Sequence, residues 1–336
     1  MGAQIKKIEY VFPEIVVTNE DLKKDFPDYD FERFEEKVGI QKRYIVSENE
    51  TGLDLAEKAC NKLFESFDKQ KIDYILYCTQ SPEYFLPTTA CILQDKLGLR
   101  TDIGALDFNL GCSGFTYGVN LANALISSGQ VENVLLVTAE TYSKFIHPKD
   151  KTNRSIFGDA AAATLISKTE NDNILKFKFG TDGSGYDKLI IKNGCSRFPL
   201  DPGAEEIEYG TDNVYTDNHL YMNGPEIFNF TTKAIPNFVK EIMEENRMDI
   251  GQVDQFVFHQ ANSFMLDFLR KRIKIDKENF YNDLSNGGNT VSCTIPIALK
   301  RYTDSLDEDK ELTLGIVGFG VGLSWSGGII KINNKL

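Results

Sequence analysis

Asp107-Phe-Asn-Leu-Gly-Cys-Ser-Gly-Phe-Thr-Tyr-Gly118 is the stretch from which the rest of the chain can be read. On its N-terminal side, Ile103 to Leu110 reads as a buried strand, and beyond it Val119 to Ser128 reads as a small-residue helix. Gly111 and Gly114 let the backbone turn sharply between the two. Cys112 then lies at a helix N-terminus, where unpaired N–H groups and the positive end of the dipole favour thiolate. A free Cys is most often a buried, inert thiol, so a catalytic reading requires a base and an orienting group elsewhere in the chain.

That search is short, because the chain has 3 histidines: His147, His219 and His259. His259 closes the apolar run Phe256-Val-Phe-His-Gln-Ala-Asn262, so its ring emerges from the end of a buried strand. His147, before Pro148, and His219, in Tyr215-Thr-Asp-Asn-His, read as solvated loop residues. A polar partner stands in Leu284-Ser-Asn-Gly-Gly-Asn-Thr-Val-Ser-Cys-Thr-Ile-Pro296, where two glycines bring backbone close to a site and Asn289 heads a small-residue helix. A plain helix-capping Asn would look the same. Last comes the glycine-rich Gly318-Phe-Gly-Val-Gly-Leu-Ser-Trp-Ser-Gly-Gly328. It is either a tight turn between the last two strands or a backbone N–H donor to a developing oxyanion.

Taken in order, Cys112, His259-Gln-Ala-Asn262, Gly288-Asn289-Thr290 and Gly318-Phe319-Gly320 form a constellation. With Val38-Gly-Ile-Gln-Lys-Arg43, Phe157-Gly-Asp159, Thr181-Asp-Gly-Ser184 and Met222-Asn-Gly-Pro-Glu-Ile-Phe228, it resembles the β-ketoacyl-acyl-carrier-protein synthase III family of thiolase-fold condensing enzymes over essentially the whole length. The resemblance implies an α/β fold of thiolase type, with two pseudo-duplicated α/β halves in a five-layer α-β-α-β-α arrangement. Residues 1–170 would carry the nucleophilic Cys and residues 171–336 the His and Asn.

The residues speak for a duplication independently. Ile72-Asp73 and Val253-Asp254 each precede an apolar run that follows a helix, around Gly52 to Phe67 and Phe228 to Arg247. Val134-Leu-Leu-Val-Thr138 and Leu314-Gly-Ile-Val-Gly318 make a further pair. Alternating strands and helices predict parallel sheets with helices on their faces. The acidic stretch Asn193 to Asn218 reads as an inserted loop.

Composition narrows the class further. The 336 residues suffice for one large or two intimately packed domains. No apolar run approaches ~20 residues, which excludes a helical membrane span, and Met1-Gly-Ala-Gln-Ile-Lys-Lys-Ile has no secretory apolar core. The 6 cysteines show no repeating spacing, against a disulfide framework or structural zinc, so a reducing cytoplasm is expected. A net charge of -13 argues against nucleic acid as a partner.

By resemblance, Cys112 takes an acyl group from acyl-coenzyme A, with no cofactor and no metal. His259 and Asn289 then hold the thioester oxygen of a malonyl extender during decarboxylation, and the N–H groups of Cys112 and Val321 hold the oxyanion. Asn289 is neutral, so it donates without making His259 a strong base, which suits decarboxylative condensation better than proton abstraction. Arg33, Lys37, Lys151 and Asn262 fall at substrate-binding positions, Arg33 and Lys37 replacing the usual Trp and Arg. Phe157, Leu189, Met222 and Phe228 are candidate pocket walls. Leu86 stands at a gatekeeper position commonly held by Phe, reaching into the other subunit of a homodimer, and predicts room for a primer longer than acetyl. Phe264 and Asn229 replace basic residues used for docking an acyl carrier protein, leaving Arg270, Lys271, Arg272 and Lys274 as the candidate basic patch. Two other readings stay open: acyl transfer from Cys112 to an oxygen or nitrogen acceptor, and a non-catalytic thiolase-fold binding subunit.

Overall fold

The computed structural model describes residues 2–307, 310–332 and 335–336. Two five-stranded sheets form its frame. The first runs in the order Gly2–Val11, Ala160–Thr169, Asn133–Glu140, Tyr74–Cys78, Gly104–Phe108. The second runs Ile174–Thr181, Ser324–Ile332, Leu312–Gly320, Gln255–Phe258, Phe280–Tyr281. In both, two antiparallel pairings are followed by two parallel ones. The sheets are therefore mixed rather than parallel as expected. Short connections such as the turn between Gly320 and Ser324 can only return a strand antiparallel.

Strand periodicity builds the layers. Val134 and Leu136 face inward while Leu135 and Val137 face outward, and Leu314 and Ile316 face inward while Val317 and Phe319 face outward. Between the sheets lie the helices Gly114–Ser127 and Thr294–Asp304, with Phe115, Val119, Ile295 and Leu299 sharing one core with both sheets. Burying each such side chain stabilises the fold by about 1.5–3 kcal/mol, and this layer needs both halves to exclude water. On one outer face, Gly52–Phe64 is started by a Thr51/Asp54 capping box and packs Leu55, Ala59 and Leu63 on the first sheet. On the other, Gly224–Asn246 and Ser263–Ile273 pack Ile235, Phe238 and Leu266 on the second. The result is the five-layer α/β arrangement.

Two local expectations are corrected. Gly104–Phe108 is an open edge strand with no fully buried residue, and Leu106 is 43% exposed. Its apolar letters reflect a surface left for something else to cover. The 193–218 segment is no plain loop. It holds a short hairpin, Ile207–Tyr209 with Asn213–Tyr215, whose tyrosines cluster with Tyr221 and whose Tyr209 hydroxyl donates to Asp150 at 2.7 Å.

Candidate active site

Cys112 sits in the turn between the Gly104–Phe108 edge strand and the Gly114–Ser127 helix, 5% exposed. Glycines make the turn possible. A Cβ on Gly114 would lie 2.2 Å from the Cys78 sulfur, and one on Gly318 would lie 2.7 Å from the Cys112 carbonyl oxygen. The Leu312–Gly320 strand of the second half can thus lie directly against the Cys112 turn. Just beyond that strand, the N–H of Val321 joins that of Cys112 in hydrogen-bonding the sulfur.

The ionisation of this thiol differs from the expectation. Burial first, and the charge of Glu140 second, push Cys112 up to about 12, and the two N–H groups only oppose that shift. Desolvation disfavours a charged sulfur more than the helix end and two donors favour it. The resting group is a thiol.

His259 follows the Gln255–Phe258 strand, its N–H held by Val317 O at 2.8 Å and its ring edge-on to Phe319. Nδ1 lies 2.7 Å from Thr294 Oγ1, on the helix of the middle layer. Burial depresses the ring to about 3, and a hydrogen bond to the Val291 backbone works the other way. The imidazole is neutral at physiological pH. Asn289 is fixed by its N–H to Ile156 O at 2.9 Å and by Gly158 N–H to its carbonyl at 3.1 Å. Its Oδ1 accepts the Val291 N–H at 2.9 Å, leaving the side-chain NH2 as the donor.

Cys112, His259 and Asn289 line one cavity of about 160 Å³. Of the other expected residues, Phe157, Leu189, Met222 and Asn262 line it too. Asn262 also caps the Ser263–Ile273 helix, accepting Met265 N–H at 2.9 Å. Phe228 is not in the wall. It stacks on Phe264 and meets Phe268 outside, while its neighbour Ile227 lines the cavity. Phe319 of the Gly318-Phe319-Gly320 motif lines the cavity, and Thr152, Ile156, Ile227 and Met265 do so without having been singled out, since their apolar or small character marks them only as core. Thr294 was missed as well, although a hydroxyl in the helix that follows Asn289 was the available signal.

The remaining expected residues lie elsewhere. Lys37 stands 4.8 Å from the Phe264 ring, and Arg33 is exposed with its N–H on Asp30. Lys151 is committed to Asp212 at 3.5 Å and to the face of Tyr29. Leu86 is 76% exposed and does not line the cavity of its own chain. In the basic patch, Arg270 pairs with Asp267 and caps the Ile275 carbonyl, and Lys271 also pairs with Asp267, which leaves Arg272 and Lys274 exposed. His147 is not a solvated loop residue, whereas His219 is a half-buried turn residue. His147 is buried and packs edge-to-face on His219, whose Nδ1 lies 2.8 Å from Thr216 Oγ1. Among the described residues, no cluster of His, Cys, Asp or Glu is placed to hold a metal ion.

Comparison with known proteins bears on the same regions. The family model described as 3-oxoacyl-[acyl-carrier-protein (ACP)] synthase III matches residues 106–183, and its C-terminal companion matches residues 243–332. The beta-ketoacyl-[acyl-carrier-protein] synthase III of Clostridium perfringens is 36% identical, over 95% of this chain and 96% of that one. A putative 3-oxoacyl-[acyl-carrier-protein] synthase 3 of Campylobacter jejuni is 35% identical, over 90% of this chain and 85% of its own. Among solved structures, a 3-oxoacyl-(acyl-carrier-protein) synthase III superposes with a TM-score of 0.95 at 43% identity, covering 99% of this chain and 100% of that one. The enzyme from Burkholderia xenovorans superposes at 0.91 with 32% identity, covering 100% and 96% respectively.

Proposed function

This chain belongs to the 3-oxoacyl-[acyl-carrier-protein] synthase III family, a family of condensing acyltransferases, and from that premise we propose how its own residues divide the reaction. The Cys112 sulfur attacks an acyl-coenzyme A carbonyl. A carbon–sulfur bond forms to Cys112, the bond to coenzyme A breaks, and the thiol proton leaves with the coenzyme A sulfur. A malonyl thioester then enters the cavity. Its carboxylate departs as CO2, and the electron pair left behind is held as an enolate whose oxygen accepts from the Asn289 NH2 and the His259 ring. The enolate carbon attacks the acyl-Cys112 carbonyl, forming the carbon–carbon bond and expelling Cys112. Cys112 N–H and Val321 N–H hold the oxyanion in both tetrahedral steps, an interaction typically worth about 3–4 kcal/mol per donor.

The observation that carries this reading is that Cys112, His259 and Asn289 line one small cavity, with two N–H groups on the sulfur. A neutral His259 fits it, since a charged ring would protonate the carbanion rather than guide it. The cavity of about 160 Å³ around the sulfur is the space in which the acyl primer would lie within one chain. The extender is proposed to arrive on an acyl carrier protein, with Arg272 and Lys274 as the exposed cations nearest to that role.

A homodimer is part of the proposal. The open Gly104–Phe108 edge and the consecutive exposed side chains Tyr84, Phe85 and Leu86 are apolar surfaces of the kind that a second copy covers. The six cysteines are free, as suits a cytoplasmic enzyme, and no helix among the described residues is long and apolar enough to cross a membrane. The test is an acyl-coenzyme A panel read by intact mass, followed by addition of a malonyl thioester. An adduct on Cys112 that disappears with release of CO2 supports the reading. An adduct discharged only by alcohols or amines replaces it with transfer to oxygen or nitrogen, and no adduct with any thioester removes it.

A further inference from the structure

Glu140 ends the central Asn133–Glu140 strand, wholly buried beneath the site, and the reaction above does not use it. Its carboxyl is held from both halves. Oε1 accepts from Ser292 Oγ at 2.7 Å, and Oε2 accepts from Gln80 N–H at 3.1 Å and Ser81 Oγ at 3.4 Å. Among the described residues, no cation pairs with it. A buried carboxylate without a cation is costly and is sustained only by donors aimed at it.

Both of its contacts lead to reacting groups. Ser292 belongs to the turn that carries Asn289, in which Val291 takes a φ of 56°, a region that β-branched residues rarely adopt and that external anchors must hold. Gln80 packs so tightly on the turn before the nucleophile that a Cβ on Gly111 would lie 2.5 Å from its Oε1, which accepts the Tyr142 hydroxyl at 2.5 Å.

We propose that Glu140 is a positioning residue which, clamped between the Asn289 turn and the Gln80–Ser81 loop, governs through its own proton how readily the Cys112 thiol ionises. This rests on Cys112 being the nucleophile. Burial pushes Glu140 up to about 8, against the pull of Ser292, Gln80 N–H and Ser81, and Asp159 adds to the rise. The titratable groups facing it are Tyr77 and Cys78 from Tyr74–Cys78, Tyr142, Cys293, Asp159 and Cys112 itself. None of them is a cation, so an ionised Glu140 repels thiolate and a protonated one does not. The geometry accommodates both states, because the Ser81 hydroxyl can turn from donor to acceptor when the carboxyl carries a proton.

The test is the pH dependence of Cys112 alkylation by iodoacetamide in the full chain, followed on the Cys112 peptide by mass, because Cys91 and Cys195 are exposed and also react. In the unaltered protein the rise of rate with pH should flatten near pH 8, where Glu140 ionises. Glu140→Gln should remove that break and move the profile about one pH unit lower, with a several-fold faster reaction at high pH. Ser292→Ala, which deletes one donor and keeps the acid, should move the break to higher pH. It also serves as the probe if the Gln variant fails to fold. Profiles that superimpose on the unaltered protein in every folded variant overturn the proposal. Failure of the nucleophile reading shows separately, as acyl-enzyme formation that persists in Cys112→Ala.

Discussion

Gly320 stands so close to Cys112 that a Cβ on it would lie 2.9 Å from the sulfur and 2.8 Å from the Cys112 Cβ. A residue from the last hairpin thus forms one wall of a nucleophile site whose thiol comes from the other half of the chain. Gly320→Ala must displace either the thiol or the Val321 N–H. Misplacement by about 1 Å can cost roughly 100-fold in rate, so acyl loading followed by intact mass should fall by about that factor. Loading at the unaltered rate would show that the close approach does not matter.

Removing the groups that hold the extender should separate the two half-reactions. His259→Ala and Asn289→Asp are expected to lower CO2 release by roughly 100- to 1,000-fold, with acyl loading on Cys112 reduced far less. Equal losses in both steps would mean that the roles are not divided as described.

Thr294 fixes the His259 ring through the 2.7 Å contact at Nδ1. Thr294→Val keeps the shape and leaves that buried nitrogen without its side-chain partner, at a cost of about 1–3 kcal/mol. Condensation should drop by roughly tenfold and return in Thr294→Ser. A Val variant with unaltered condensation would reduce Thr294 to a packing residue.

The buried ring and the buried acid make opposite contributions to stability. His259 is depressed from 6.5 to about 3, so the unfolded chain binds the extra proton between those values and stability is lost as pH falls below 6.5. Glu140 is raised from 4.5 to about 8, so the folded chain holds the extra proton and stability is lost as pH rises from 4.5 through 8. Urea unfolding followed from about pH 5 to about pH 9, which covers most of the Glu140 window, should therefore show the alkaline decline attenuated in Glu140→Gln. A decline of unaltered slope would contradict the assignment.

Leu86 is exposed in the single chain, in a face assigned to a second copy. Leu86→Phe should shift primer preference toward shorter acyl chains if that side chain enters a neighbouring cavity. An unchanged chain-length profile, or a monomeric sedimentation mass, would remove Leu86 from the pocket.

Much of this molecule was legible in its letters. Two glycines around Cys112, an apolar run ending in His259 and a small-residue helix after Asn289 are local patterns, set by backbone sterics and by periods of two and 3.6 residues. The same periods exposed the duplicated order of strands. They determined that a strand–turn–helix carries the thiol, and that each half has one such junction.

What the letters left open was decided by packing between distant segments. Whether Ile103 to Leu110 is buried depends on which neighbour it lacks, and it lies at an edge. Whether Cys112 rests as a thiolate depends on how much water is excluded around it and on Glu140, a residue from another strand. The commitment of Lys151 to Asp212, the contact of Thr294 with His259 and the edge-to-face packing of His147 on His219 each join segments far apart in sequence or separated by a folded hairpin. A chain writes its local conformations into short-range sterics. Burial, charge balance and the meeting of three side chains in one cavity are properties of the space that two halves enclose together, and only the folded tertiary structure holds that information.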